Sequence, residues 1–230
     1  MTFVDTLAFQ LFTLAFISVM LFYSGVMGYI TLRKYGPRRT LEHLKAQAVP
    51  LGGIGLIVTG IGFWGELVWP LPGSYNILFF DPYVLLGIVL LGFAICVGFR
   101  WRTQYVGLLA ALTGVLSIYY GYTAYTLHLT KEPLTMFFLY VALGGTAVFT
   151  FPVTLFIDRL VIAPPMTAVD APSEPSAGAT SSAVEPPALT MQFKALFGLF
   201  LLFLLFAAGS AIVALSIGGG ALQSHLVAAP

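Results

Sequence analysis

Six separate apolar runs, each close to 20 residues long, leave this chain few ways to fold. They lie at about residues 6–32, 49–69, 82–99, 104–126, 133–157 and 193–217. At ~1.5 Å per residue, a helix of that length crosses a hydrocarbon core of ~30 Å. Only helices and closed barrels satisfy their backbone groups inside lipid. With 59% of 230 residues hydrophobic and 8% charged, too little polar surface remains to clothe a water-soluble domain. The sequence therefore reads as all-α: a polytopic membrane helix bundle of six transmembrane helices, multi-pass in a cell membrane. The first run exceeds a signal-peptide core, and its basic residues follow rather than precede it, so it reads as a retained helix.

Lys and Arg set the expected orientation. Nine of the ten fall in the first, third and fifth connections: Arg33, Lys34, Arg38, Arg39, Lys45, Arg100, Arg102, Arg159 and Lys194. The other side holds Lys131 alone. The positive-inside rule then puts both termini outside the cytoplasm. Pro50, Pro82 and Pro133 are expected at span edges, where a missing donor is harmless, and Pro152 inside the fifth span. Residues 163–190 are rich in Pro, Ala, Ser and Thr and read as a disordered cytoplasmic linker. It separates a five-helix bundle (1–162) from a sixth helix with a short external tail (191–230).

Several function classes are disfavoured by composition. A net charge of +1 offers no basic footprint for nucleic acid. The single cysteine, Cys96, forms no intrachain disulfide, and His43, His128 and His225 lack metal-ligand spacing. No nucleophile, phosphate-loop or dinucleotide motif is present, so no catalytic residue, metal or cofactor is expected.

The sharpest candidate is Glu66, a carboxylate within the second span, ~17 residues or ~26 Å from its inner end. A charge at a helix centre costs roughly 2.5–3.5 kcal/mol on insertion scales, and less near the edge, so Glu66 should face protein or water. Its commonest use is structural; its functional use would be ligand or proton binding. Gly52, Gly55, Thr59, Gly62 and Glu66 recur every three or four residues and share one face. The fourth span carries a matching face of Gly107, Ala110, Gly114, Ser117 and Gly121, leading to Tyr122, Tyr125 and His128. Small faces permit close packing, and the two helices run in the same direction. The expectation is that these faces meet, with Glu66 bonded to Tyr122 or a neighbour. Asp81 and His128 would complete a candidate ligand or proton site at the outer end.

The second connection, Pro70-Leu71-Pro72-Gly73-Ser74-Tyr75-Asn76-Ile77-Leu78-Phe79-Phe80-Asp81-Pro82-Tyr83, is unusually apolar and should fold back on the bundle. Together with Leu85-Leu86-Gly87 and Leu129-Thr130-Lys131-Glu132-Pro133-Leu134, it resembles a prokaryotic membrane family catalogued as a domain of unknown function. The likeness covers about residues 51–160. It implies a cell-membrane setting and brings no activity or site residue. The sequence is read first as an accessory or structural subunit, with the lipid bilayer and other membrane subunits as partners. The alternative is a transporter of a small solute or hydrophobic ligand that uses Glu66; a membrane enzyme ranks last.

Overall fold

A computed structural model of the chain describes residues 6–130, 132–162 and 191–227, with the side chains of 215 and 217–227 excepted. The expected linker at 163–190 lies outside the described residues. Among the described residues there are five α-helices and no strand: α1 Thr6–Val68, α2 Ser74–Phe99, α3 Gln104–Thr126, α4 Pro133–Ile157 and α5 Met191–Val227. A π-helical turn, Asp158–Ile162, extends α4. All five helices are long and apolar enough to cross a membrane.

The longest element, α1, is a hairpin of two helical arms. Gly36 takes a non-helical conformation (φ 79°, ψ −176°) that glycine adopts without a Cβ clash. Pro37 follows it as the first residue of the second arm, where its fixed φ suits a helix start and its missing donor is harmless. The chain then doubles back: Leu44 comes to Gly28, Leu41 packs with Leu32, and Leu51 and Val58 pack with Ile17. In a straight helix Gly28 and Leu44 would lie ~24 Å apart.

Residues 37–48, expected as loop, are therefore helical, and Pro50 sits inside the second arm rather than at its edge. This stretch is built mostly from strong helix formers such as Arg, Leu, Glu, Lys, Ala and Gln. Thr40 Oγ1 donates to the Gly36 carbonyl at 2.9 Å.

Helix α2 also begins earlier than expected, at Ser74, which places Pro82 inside it. A proline there cannot donate to the carbonyl four residues back, that of Leu78. The Tyr140 hydroxyl donates to that carbonyl instead. Asn76, fully buried, donates from Nδ2 to the Gly65 carbonyl at 3.0 Å and accepts from the Leu71 amide at 3.3 Å. The apolar connection thus folds back as helix, tied to the turn before it.

The two small faces do not meet each other. The second arm of α1 packs on α2: a Cβ on Gly62 would lie 2.7 Å from Val84 Cα, and one on Gly55 2.9 Å from the Leu91 amide nitrogen. Gly52 abuts Ala94, and Gly87 of α2 faces Thr59. The α3 face packs on α4: Gly107 meets Thr154, Gly114 meets Gly144 and Ala147, and Gly121 meets Tyr140. Short connections at 69–73 and 127–132 place consecutive helices side by side, so each small face is taken up by its neighbour in sequence. Helix α5 packs against α1 and α4 and closes the ring; Ala211 and Ala214 share a core with Ala15 and Leu139.

The glycine contacts carry a direct consequence. Gly62→Ala is expected to lower unfolding free energy by roughly 1–3 kcal/mol, because the intruding methyl meets backbone that cannot yield. Gly60→Ala, where nothing lies within 4 Å, should leave it unchanged or higher. Thermal unfolding of both variants in detergent micelles checks this, and equal effects would contradict the interface described.

Candidate functional site

Call the two ends of the bundle the Gly36 end and the Pro70 end. At the Pro70 end, Glu66 lies on the last turn of α1 with its Oε1 buried and no donor beside it. The Asp81 carboxyl of α2 is close enough to interact with it. The Asp81 carboxylate accepts from the Tyr120 hydroxyl of α3 at 2.8 Å. Three helices thus bring together two carboxyl groups and a phenol. Carboxyls in this relation can share one proton as an O–H···O bond or hold a cation between them.

The other residues expected here are elsewhere. Tyr122 is 57% exposed; its carbonyl accepts from the Thr126 hydroxyl. Tyr125 is also exposed and stacks loosely with His128 and Phe137, ring centres 6.5 and 5.6 Å away. His128 ends α3 in a left-handed conformation (φ 49°). Only Asp81 of the expected partners joins Glu66; the tyrosine that comes in is Tyr120, and it bonds Asp81 rather than Glu66.

A second polar constellation, at the Gly36 end, went unread in the sequence. Asp158 is buried, and its Oδ1 accepts from the Thr103 amide and hydroxyl, both at 2.7 Å, while Oδ2 accepts from the Gln104 amide at 2.9 Å. It caps the N-terminus of α3 from across the bundle and pins the α3–α4 pair at this end. A signal existed: a carboxylate at a helix C-terminus opposes the macrodipole and implies a partner elsewhere.

Between the walls runs an elongated chamber of about 740 Å³, within the ~300–1,000 Å³ typical of ligand pockets. On the first arm of α1 its lining runs from Leu7 to Leu32, about 38 Å at ~1.5 Å per residue. The other walls come from α2, α3, α4, α5 and the lower part of the second arm. Ser18, Thr40, Ser117, Thr146, Thr150 and Thr154 line it, yet each hydroxyl donates to a carbonyl of its own helix. Satisfied in this way, these six add little polarity to the wall, which also carries the hydroxyls of Ser24, Thr113 and Thr135.

The two ends of the chamber differ. Three of its lining residues are exposed, Phe12, Tyr75 and Glu132, all at the Pro70 end. At the Gly36 end its lining includes Leu32 and Val161, which pack with Leu41, Leu44, Ile157 and Leu160. Glu66 is not among the residues that line it.

The sequence pattern of a family described as "Protein of unknown function (DUF981)" matches residues 1–171, and the chain belongs to that family. The match takes in the whole α1 hairpin through α4, more than the 51–160 stretch that carried the resemblance. No curated protein and no solved structure matches the chain.

The carboxyl cluster can be tested as a unit. Tyr120→Phe removes the donor to Asp81 and should lower unfolding free energy by about 1 kcal/mol. Glu66→Gln supplies an amide donor to the same carboxylate, so it should fold normally and recover the loss in the double variant. Strictly additive effects in this cycle would show that the three groups act separately.

Proposed function

We propose that this member of the DUF981 family crosses a cell membrane six times, with both termini outside, and that its chamber holds a hydrophobic ligand taken from the bilayer. The two arms of α1 supply two crossings and α2 to α5 four more. In this arrangement the basic residues cluster at one end. Arg33, Lys34, Arg38, Arg39 and Lys45 surround the hairpin turn, Arg100 and Arg102 lie before α3, Arg159 is in the π-helical turn, and Lys194 is in the first turn of α5. That end is the cytoplasmic one by the positive-inside rule, and the chamber's exposed lining residues lie at the opposite end.

The observation that carries the ligand reading is the size and chemistry of the chamber. At about 740 Å³ it is within the ~300–1,000 Å³ of small-molecule pockets. Water is a poor filler, because the wall is predominantly apolar and a buried water needs two to four polar partners. Hydrocarbon is the occupant that suits such a wall.

A Glu66-driven transporter fits less well, since Glu66 stands outside the chamber. An accessory-subunit role rests on the outward apolar faces of Leu56, Phe63, Leu112 and Val115, which lipid covers equally well. It leaves the chamber unexplained.

Native mass spectrometry of the gently solubilised full chain should show a retained apolar molecule. Ser24→Phe, which places a ring in the chamber, should remove it without loss of folding. Retention of the same molecule by this variant would place it on the outer surface instead.

Topology is tested separately by cysteine accessibility in a Cys96→Ala background. A cysteine introduced at Ser176 should resist impermeant reagent in intact cells, whereas one at Ser74 should react. Labelling at Ser176 from outside would reverse the orientation.

A further inference from the structure

Charge is divided unequally between the two ends of the bundle. By chain position, nine of the ten basic residues belong to the Gly36 end, against five acidic ones, Glu42, Asp158, Asp170, Glu174 and Glu185. Asp5, Glu66, Asp81 and Glu132 belong to the Pro70 end, against Lys131. Both described acids at the Gly36 end are already engaged. The Asp158 oxygens accept from Thr103 and Gln104 inside the bundle, and Glu42 is shared by Arg38 and Arg39 on the hairpin. Arg33, Lys34, Arg100, Arg102, Arg159 and Lys194 are exposed and form no ion pair among the described residues.

These cations come from every helix end at this level: both arms of α1, the α2–α3 connection, the end of α4 and the start of α5. They therefore ring the bundle. Exposed aromatic side chains accompany them: Tyr35 beside the hairpin turn, Phe99 and Trp101, whose ring centres lie 5.4 Å apart, and Tyr105. Aromatic residues in such positions sit at the boundary between acyl chains and head groups. That sets the neighbouring cations at the level of the phosphates.

We infer that the Gly36 end is a collar that gathers anionic phospholipid through its phosphodiester head groups. This rests on the reading of the chain as membrane-spanning and adds the class of lipid that surrounds one end. A soluble acidic partner would cover one side and leave the other cations unanswered, whereas lipid meets the bundle all round. Six of the nine basic residues are Arg, whose planar fork of donors matches phosphate oxygens.

The chain carries its own reporters: Trp101 at the Gly36 end, Trp64 and Trp69 at the Pro70 end, all exposed. Two full-length variants separate them, Trp64→Phe with Trp69→Phe, and Trp101→Phe. Each is reconstituted in symmetric phosphatidylcholine vesicles that contain brominated phosphatidylglycerol or brominated phosphatidylcholine at one mole fraction, so direction of insertion does not matter. The anionic lipid should quench Trp101 with an apparent affinity about fivefold above that of the zwitterionic one. Trp64 and Trp69 should show no such preference.

Arg100→Gln with Arg102→Gln should reduce the Trp101 preference, and raised sodium chloride should do the same. The salt series uses the unaltered collar and decides the matter if that double variant does not fold. Sodium phosphate at equal ionic strength should act no more strongly than chloride. Equal quenching of Trp101 by both lipids, the same preference at both ends, or a preference insensitive to salt overturns the collar. A loss peculiar to phosphate would assign the cations to a soluble phosphate compound and overturn the lipid assignment. Absence of quenching of every tryptophan by either lipid would instead overturn the membrane-spanning reading.

Discussion

Backbone-to-backbone contact through glycine organises this bundle. The second arm of α1 lies against α2, and α3 against α4, so closely that a single methyl on Gly62 or Gly114 would collide with the opposite helix. Two tight pairs result, each joined by a short connection. The remaining rods are held differently. Phe197 and Leu201 of α5 reach Gly25 of the first arm, and Phe203 reaches Gly145 of α4, so side chains and not backbones set these spacings. Tight pairs joined by looser walls leave space along the axis, and the chamber occupies it. The chamber is thus a consequence of where glycines are and where phenylalanines are.

The polar groups reinforce this plan at both ends. Asp158 locks α3 to the end of α4 near Gly36. Tyr140 takes up the carbonyl that Pro82 leaves free, and so locks α4 to α2 near Pro70. Tyr120 and Asp81 add a bond between α3 and α2 at the same end. In the proposed membrane setting each such bond has modest worth, since double-mutant cycles in a membrane protein average ~0.6 kcal/mol. Their value lies in fixing register, Asp158 within the α3–α4 pair and Tyr140 and Tyr120 between that pair and α2.

Much of this fold was legible in the sequence, and the failures have physical causes. Apolar length gave the helices, because hydrophobic run length is the strongest signal such a chain carries. Small-residue spacing on α1 and α3 correctly identified surfaces of close approach, but such a face says nothing about its partner; chain connectivity decided that. Glu66 was singled out as a carboxylate inside an apolar span, and the structure does give it a polar neighbour. Asp81 proved to be that neighbour because α2 starts two turns before Pro82, where a proline had suggested a helix edge. Asp158 escaped notice because it stands just past the apolar run. The chamber was invisible, since each residue lining it reads as ordinary core.

Belonging to DUF981 anchors the α1–α4 frame without supplying an activity, so the account of function stands on the chamber. The most direct measurement is an experimental density map of the protein in a lipid nanodisc, at a resolution that shows side chains. The account predicts a continuous density inside the ring, running from Phe12, Tyr75 and Glu132 toward Leu160. A map in which α1 and α5 close onto α3 and α4, so that their own side chains fill that space, would contradict it.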